Sequence, residues 1–244
     1  MQKTKYLNSE ESSRGEEKYA AVPQFEHIAE LLGNKLLDNP FMIARSGLMA
    51  KLLFLHDVYG RIKDVPGDII ELGVWLGQSL IMFENLRAIH EPFNSCRTIY
   101  GFDTFEGYVE TSDLHISPNE IQKYTQPKSW EKEIKSLFEA HCLINNSKTN
   151  LSLIKGDIRK TLPKFSKNYT GLAACIYVDI ATFETTEVAI AFAKEHLVRG
   201  GVMIVDDYGD TYPGVMKSLK RNGIEDFDCE LNPHFKTKLL LWKK

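Results

Sequence analysis

Long apolar runs are missing from this chain: none approaches the roughly 18 residues that a membrane-spanning helix needs. Cysteine is scarce, and Cys96, Cys142, Cys175 and Cys229 are too scattered for a zinc pattern or a disulfide framework. The expectation is four reduced thiols in a cytoplasmic protein. The polar, charged start of the chain lacks the apolar stretch of a secretory signal. An excess of either charge is lacking too. A formal net charge of -3 and a pI near 6.2 offer no bulk attraction to nucleic acid or to an anionic membrane. No internal repeat or low-complexity block is visible. The expected partner is a small-molecule acceptor, with no nucleic acid and no membrane, and a homo-oligomer is left open.

What is present is ordinary soluble composition, 43% hydrophobic and 26% charged, over 244 residues. That suffices for one substantial core. Residues 1 to about 20 read as a loose arm rich in Ser, Glu and Lys. Phe25, Ile28, Leu31 and Leu32, then Leu48, Leu52, Leu55 and Val58, recur at helix spacing on either side of Pro40. These features predict an N-terminal arm and helical lid over 1–62 and a main domain over 63–244.

Beyond residue 62 the period switches repeatedly. Strands are predicted at Ile69–Gly73, Thr98–Phe102, Leu151–Lys155, within Gly171–Asp179, and at Val202–Val205. Helices are predicted at Ser79–Ile89, from Ser129 (as its cap) onward, and over Thr185–Leu197. Phe227–Leu231 and Lys238–Trp242 would close the chain as an antiparallel hairpin. The alternation implies an α/β, doubly wound, mostly parallel sheet covered on both faces. Residues 107–130, with Gly107, Pro118 and Pro127, form an excursion from that repeat.

Ligands of open α/β sheets sit beyond the carboxyl ends of the strands. There this chain places Glu71 with Gly73, then Asp103, Asp157, Asp179 and the pair Asp206, Asp207. Any one carboxylate could be a helix cap; five strand ends bearing one together point to a site. Glu71, Gly73, Gly77 and Ser79 form a strand–turn–helix whose Glu-x-Gly-x-x-x-Gly spacing is not that of a dinucleotide clamp. Asp103 is placed to accept from both hydroxyls of a ribose. Asp157 could accept from an adenine amino group or cap the following helix. Asp179, Asp206 and Asp207 should lie together on neighbouring strands, and crowded carboxylates favour a hard cation such as Mg²⁺.

Four stretches carry a family resemblance: residues 65–79 (Val-Pro-Gly-Asp-Ile-Ile-Glu-Leu-Gly-Val-Trp-Leu-Gly-Gln-Ser), 100–107 (Tyr-Gly-Phe-Asp-Thr-Phe-Glu-Gly), Lys155-Gly with Thr161-Leu-Pro, and 204–209 (Ile-Val-Asp-Asp-Tyr-Gly) followed by Pro213-Gly. Together they resemble the metal-dependent small-molecule O-methyltransferases of the macrocin and novobiocin type, over residues about 45 to 242. The resemblance implies a class I methyltransferase-like, seven-stranded sheet and an S-adenosylmethionine-binding catalytic domain. It implies cofactor contacts from Glu71 and Asp103, and a divalent ion held by Asp179, Asp206 and Asp207. It also implies methyl transfer to a hydroxyl of a small polyhydroxylated metabolite, such as a sugar, sugar nucleotide or glycosylated natural product. Sugar-modifying members tend to carry Asp-x-Asp-Leu-Tyr after the fourth strand, whereas this chain has Asp179-Ile-Ala-Thr-Phe. Ala181 cannot take up a proton. His115, in the excursion, is the candidate replacement base, and His234 in the final turn is a further histidine near that end. An amine acceptor, as in an amino sugar, would need no such base. A catalytically silent cofactor-binding module is the remaining alternative.

Overall fold

The computed structural model describes residues 15–109, 111–112, 124–180, 182–209, 213–233 and 238–244, with 15–21 by backbone alone. Residues 1–50 and 51–244 are separate compact units. In the first, helix α1 (Gly15–Leu32) leads into two short 3-10 turns, Gly33–Leu37 and Pro40–Met42. Pro40 opens the second turn, where a missing N–H costs nothing.

Helix α2 (Ser46–Ile62) runs across the unit boundary, so the division falls inside it and not after residue 62. The reason is its burial pattern. Phe54, Leu55, Val58, Tyr59 and Ile62 form one apolar face that belongs to the core of the second unit.

That unit is built on a sheet of seven described strands in the order β3-β2-β1-β4-β5-β7-β6. Its elements are β1 (Asp68–Leu72), α3 (Gln78–His90), β2 (Ile99–Asp103), α4 (Trp130–Ile144), β3 (Leu151–Lys155), α5 (Ile158–Ser166), β4 (Ala173–Val178), α6 (Phe183–His196), β5 (Leu197–Val205), α7 (Pro213–Asn222), β6 (Phe227–Leu231) and β7 (Leu239–Lys243). Strands β1 to β5 pair in parallel, while β7 runs antiparallel to both β5 and β6. The predicted hairpin is therefore present.

Residue alternation divides the core in two. Ile69, Cys175, Tyr177, Val202, Ile204, Leu240 and Trp242 pack with α2, α3 and α4. Ile70, Leu72, Ile176, Val178, Met203, Val205, Leu239 and Leu241 pack with α5, α6 and α7. Near-continuous apolar runs such as Ala173–Val178 follow from burial on both faces. Among the described residues no helix is long and apolar enough to cross a membrane.

Two local expectations change. Strand β5 starts at Leu197, so Gly200 and Gly201 lie within the strand, next to an irregularity in its pairing with β4. A side chain at Gly201 would press on the Ala174 and Val198 carbonyls. Ser129 precedes α4 with φ 62° and makes no capping bond, so it does not cap the helix.

The strand order reverses direction between β1 and β4, which opens a crevice at their carboxyl ends. Gly73 sits there with φ 92°, and a Cβ added to it would overlap the Asp179 carbonyl oxygen. The two strand ends can approach this closely only with glycine. Gly73→Ala should destabilise the fold by about 1–3 kcal/mol, read as a lowered midpoint in urea with an unchanged slope. An unaltered midpoint would show that the backbone there relaxes freely.

Candidate functional site

The turn after β1 carries three positive φ angles in five residues: Gly73 at 92°, Trp75 at 49° and Gly77 at 85°. Gly77 then leads into α3, and a Cβ on it would crowd the Ile134 side chain. Trp75 is held in this uncommon conformation by donating its N–H to Asp103 Oδ2 at 2.8 Å. Asp103 Oδ1 accepts from Phe105 N at 2.7 Å and Gln126 Nε2 at 3.2 Å. A carboxylate has about four acceptor positions, so the open one lies on Oδ2 and suits one ribose hydroxyl, not the two expected. Gln126 is buried, and its Oε1 is an unpartnered acceptor beside Asp103. Gln126 carries no sequence signal of this role, because it lies in an irregular stretch with no periodicity. Trp75, Tyr124 and Tyr108 line the same edge, with ring centroids 5.7 Å and 4.8 Å apart in successive pairs.

Glu71, only 1% exposed, stands at the crevice floor with neither carboxylate oxygen completing a hydrogen bond. Burial pushes its carboxyl up to about 8; the Lys51 ammonium and the Ser79 hydroxyl pull the other way. Such a group lacks a donor or a cation. The α-ammonium of S-adenosylmethionine supplies both, so the described residues fit this cofactor. The fold places Glu71, Gly73, Gly77, Ser79 and Asp103 at one crevice, with Gln126 beside Asp103.

Asp157 has another task. It caps α5 by accepting from Arg159 N at 2.9 Å, and the Arg159 guanidinium grips it at 2.8 Å. Arg159 holds its carboxyl below the usual range and also reaches Glu184 at 2.5 Å. Both oxygens are engaged, which leaves the cap and not the adenine contact as its role.

Asp179, Asp206 and Asp207 do converge. Burial and the Asp206 charge raise Asp179 to about 6; burial with Asp179 and Asp206 raises Asp207 to about 7. The cluster therefore calls for positive charge. Asp206, however, is already occupied: its Oδ2 accepts from Tyr177 Oη at 2.7 Å and pairs with the Lys238 ammonium, while its Oδ1 accepts from Asp207 N at 2.9 Å. Among the described residues no group of three Asp, Glu, His or Cys side chains is arranged to hold a metal ion. The expected Mg²⁺ cradle does not fit this arrangement, and no step below passes through a metal. Ala181, His115 and His234 lie outside the described residues.

A sequence profile of the family described as Macrocin-O-methyltransferase (TylF) matches residues 42–226. The chain belongs to this family. Relatives of this macrocin O-methyltransferase family member include 8-demethyl-8-(2,3-dimethoxy-alpha-L-rhamnosyl)-tetracenomycin-C 4'-O-methyltransferase of Streptomyces olivaceus, 29% identical over 59% of this chain and 54% of the relative. Mycinamicin III 3''-O-methyltransferase of Micromonospora griseorubida is 26% identical over 72% of this chain and 70% of the relative. The chain spans 54% and 56% of the first two curated relatives it matches. Among solved structures, the calicheamicin methyltransferase CalS11 superposes with a TM-score of 0.82 at 26% identity, over 96% of this chain and 94% of that one. The O-methyltransferase NovP shares the fold, with a TM-score of 0.64 at 18% identity over 80% of each chain. The seven-stranded sheet with its terminal hairpin is thus the class I methyltransferase fold.

Two outcomes follow for the crevice. Asp103→Ala removes the brace of the Trp75 turn and a charged acceptor worth about 1.5–3 kcal/mol, so S-adenosylmethionine should bind roughly ten- to a hundredfold more weakly by titration calorimetry. Unchanged affinity would place the ribose elsewhere. Glu71 keeps its proton to about 8 in the native state against 4.5 as the ordinary value. The native state therefore binds more protons between those values and loses stability as pH rises through them. Glu71→Gln should then melt higher than the parent near pH 9, by roughly 3 °C or more, with no such gain near pH 4. Equal melting at both pH values would show that the carboxyl is solvated.

Proposed function

We propose that this chain transfers the methyl group of S-adenosylmethionine to a sugar hydroxyl of a small glycosylated or nucleotide-linked metabolite. The observation that carries the reading is the unpartnered, buried Glu71 at the β1/β4 crevice, set beside the carboxylates that end β4 and β5. The relatives support the acceptor class, since one name specifies a methylated oxygen on a rhamnosyl-bearing compound and another a 3''-oxygen. When bound, the cofactor supplies an electrophilic methyl on a sulfonium.

The rest is done by the chain. Glu71 and Asp103 anchor the two polar ends of the cofactor, and the Gly73 turn brings backbone close to it. Catalysis comes mainly from holding nucleophile and methyl in line. The strand-end cluster, with its ammonium groups, sets the field felt by the acceptor oxygen as it gains negative charge. Because position 181 is alanine, proton uptake is assigned to His115 on sequence grounds.

Incubating the full-length protein with labelled cofactor and a panel of sugars, sugar nucleotides and amino sugars tests the reading by mass spectrometry. The expected result is one methyl added to a hydroxyl. A methyl on nitrogen would instead establish the amine reading, and cofactor binding without turnover would establish a silent module. With an acceptor in hand, His115→Ala should lower kcat by about 10²-fold or more. An unchanged kcat would shift the role toward Asp207, whose raised carboxyl also suits proton uptake near neutral pH.

A further inference from the structure

Lys238 lies one residue before β7, and the register of β5 with β7 brings it to Asp206. Val205 stands opposite Leu239, so one further step along each strand sets Asp206 across from Lys238. Alternation decides the face. Ile204 and Leu240 point toward α2, and two residues beyond them Asp206 and Lys238 point the same way as Tyr177. Two independent periodicities thus deliver an ammonium and a carboxylate to one buried spot.

The surroundings commit the ammonium to that spot. Lys238 is 5% exposed and Asp206 8%. The Lys238 ammonium pairs with Asp206 Oδ2, lies 3.4 Å from the Tyr177 hydroxyl, and faces the Tyr177 and Phe54 rings at 5.7 Å and 5.9 Å. Asp179 and Asp207 both feel its positive charge. Lys51 adds a second ammonium, 5.7 Å from the Tyr177 ring, which acts on Asp179 and Glu71. A hard divalent ion held by all three carboxylates, as the family resemblance implies, would have to break this pair and leave a buried ammonium uncompensated.

We propose that the Lys238 ammonium is the resident cation of the carboxylate cluster at the ends of β4 and β5, in the place where a divalent ion was expected. The charge assignment stands on geometry. Its catalytic consequence rests on the methyl-transfer reading above: Lys238 is a positioning residue that supplies the positive field there, and turnover does not require an added metal.

The test uses the full-length protein and Mn²⁺ as the probe, followed by titration calorimetry. The parent should take up no Mn²⁺ at ion concentrations up to about 1 mM, the weak end of protein sites for hard cations. Lys238→Met, which keeps the apolar stem and removes the charge, should bind Mn²⁺ at least tenfold more tightly, while Lys238→Arg should stay like the parent. Stoichiometric micromolar binding by the parent, lost in Asp206→Asn, would overturn the proposal by showing that Lys238 yields its place to a metal. The parent titration decides the matter even if a Lys238 variant fails to fold. In the activity arm, methyl transfer by the parent should survive excess chelator, and loss of turnover that Mn²⁺ restores would also overturn it. Titration with S-adenosylmethionine in parallel separates the two readings: absent cofactor binding would sink the methyl-transfer function and leave the metal titration interpretable.

Discussion

Burial of the carboxylates that end β1, β4 and β5, compounded by their mutual repulsion, is the constraint to which this site answers. Glu71, Asp179, Asp206 and Asp207 share one end of the sheet, and the carboxyls of Glu71, Asp179 and Asp207 are all raised. Each device nearby offsets that charge. Tyr177 donates to Asp206, Lys238 pairs with it, and Lys51 acts on Glu71 and Asp179. Glu71 is fully buried and neither of its oxygens has a hydrogen-bond partner among the described residues. It is the member left for a cationic ligand.

The second support is backbone geometry at the β1/β4 crevice. Glycine at 73 lets the two strand ends meet, and Asp103 braces the turn that follows by accepting from the Trp75 amide. Asp103 therefore does structural work and offers one acceptor toward a ligand. Gln126 reaches into the same corner from an irregular segment and contributes another. A cofactor pocket assembled in this way draws on β1, β2 and a distant loop together.

Family membership and this geometry agree on the fold; the divalent ion expected from the sequence resemblance is where the geometry departs from expectation. The profile match covers the sheet and its helices, and CalS11 superposes over nearly the whole chain. The carboxylates expected to form a cradle are at the right strand ends, yet one of them is spent on a lysine. That exchange substitutes a tethered single charge for a diffusible double one, with no ligand geometry to satisfy.

The sequence by itself determined the order of the strands along the chain and most of the helices (though not α7, Pro213–Asn222), the terminal hairpin, the glycine turn and the strand-end positions of Glu71, Asp103, Asp179, Asp206 and Asp207. Those features follow from local periodicity and from turn chemistry, which neighbouring residues carry. Asp157 was legible only as two alternatives, cap or ligand, because its partner Arg159 is two residues away and either job uses the same oxygens. Tertiary structure alone decided that α2 splits between two units, that Gln126 joins Asp103, and that Lys238 meets Asp206 across a sequence separation of 32 residues. The last depends on strand register, and a shift of one residue would turn Lys238 to the opposite face of the sheet.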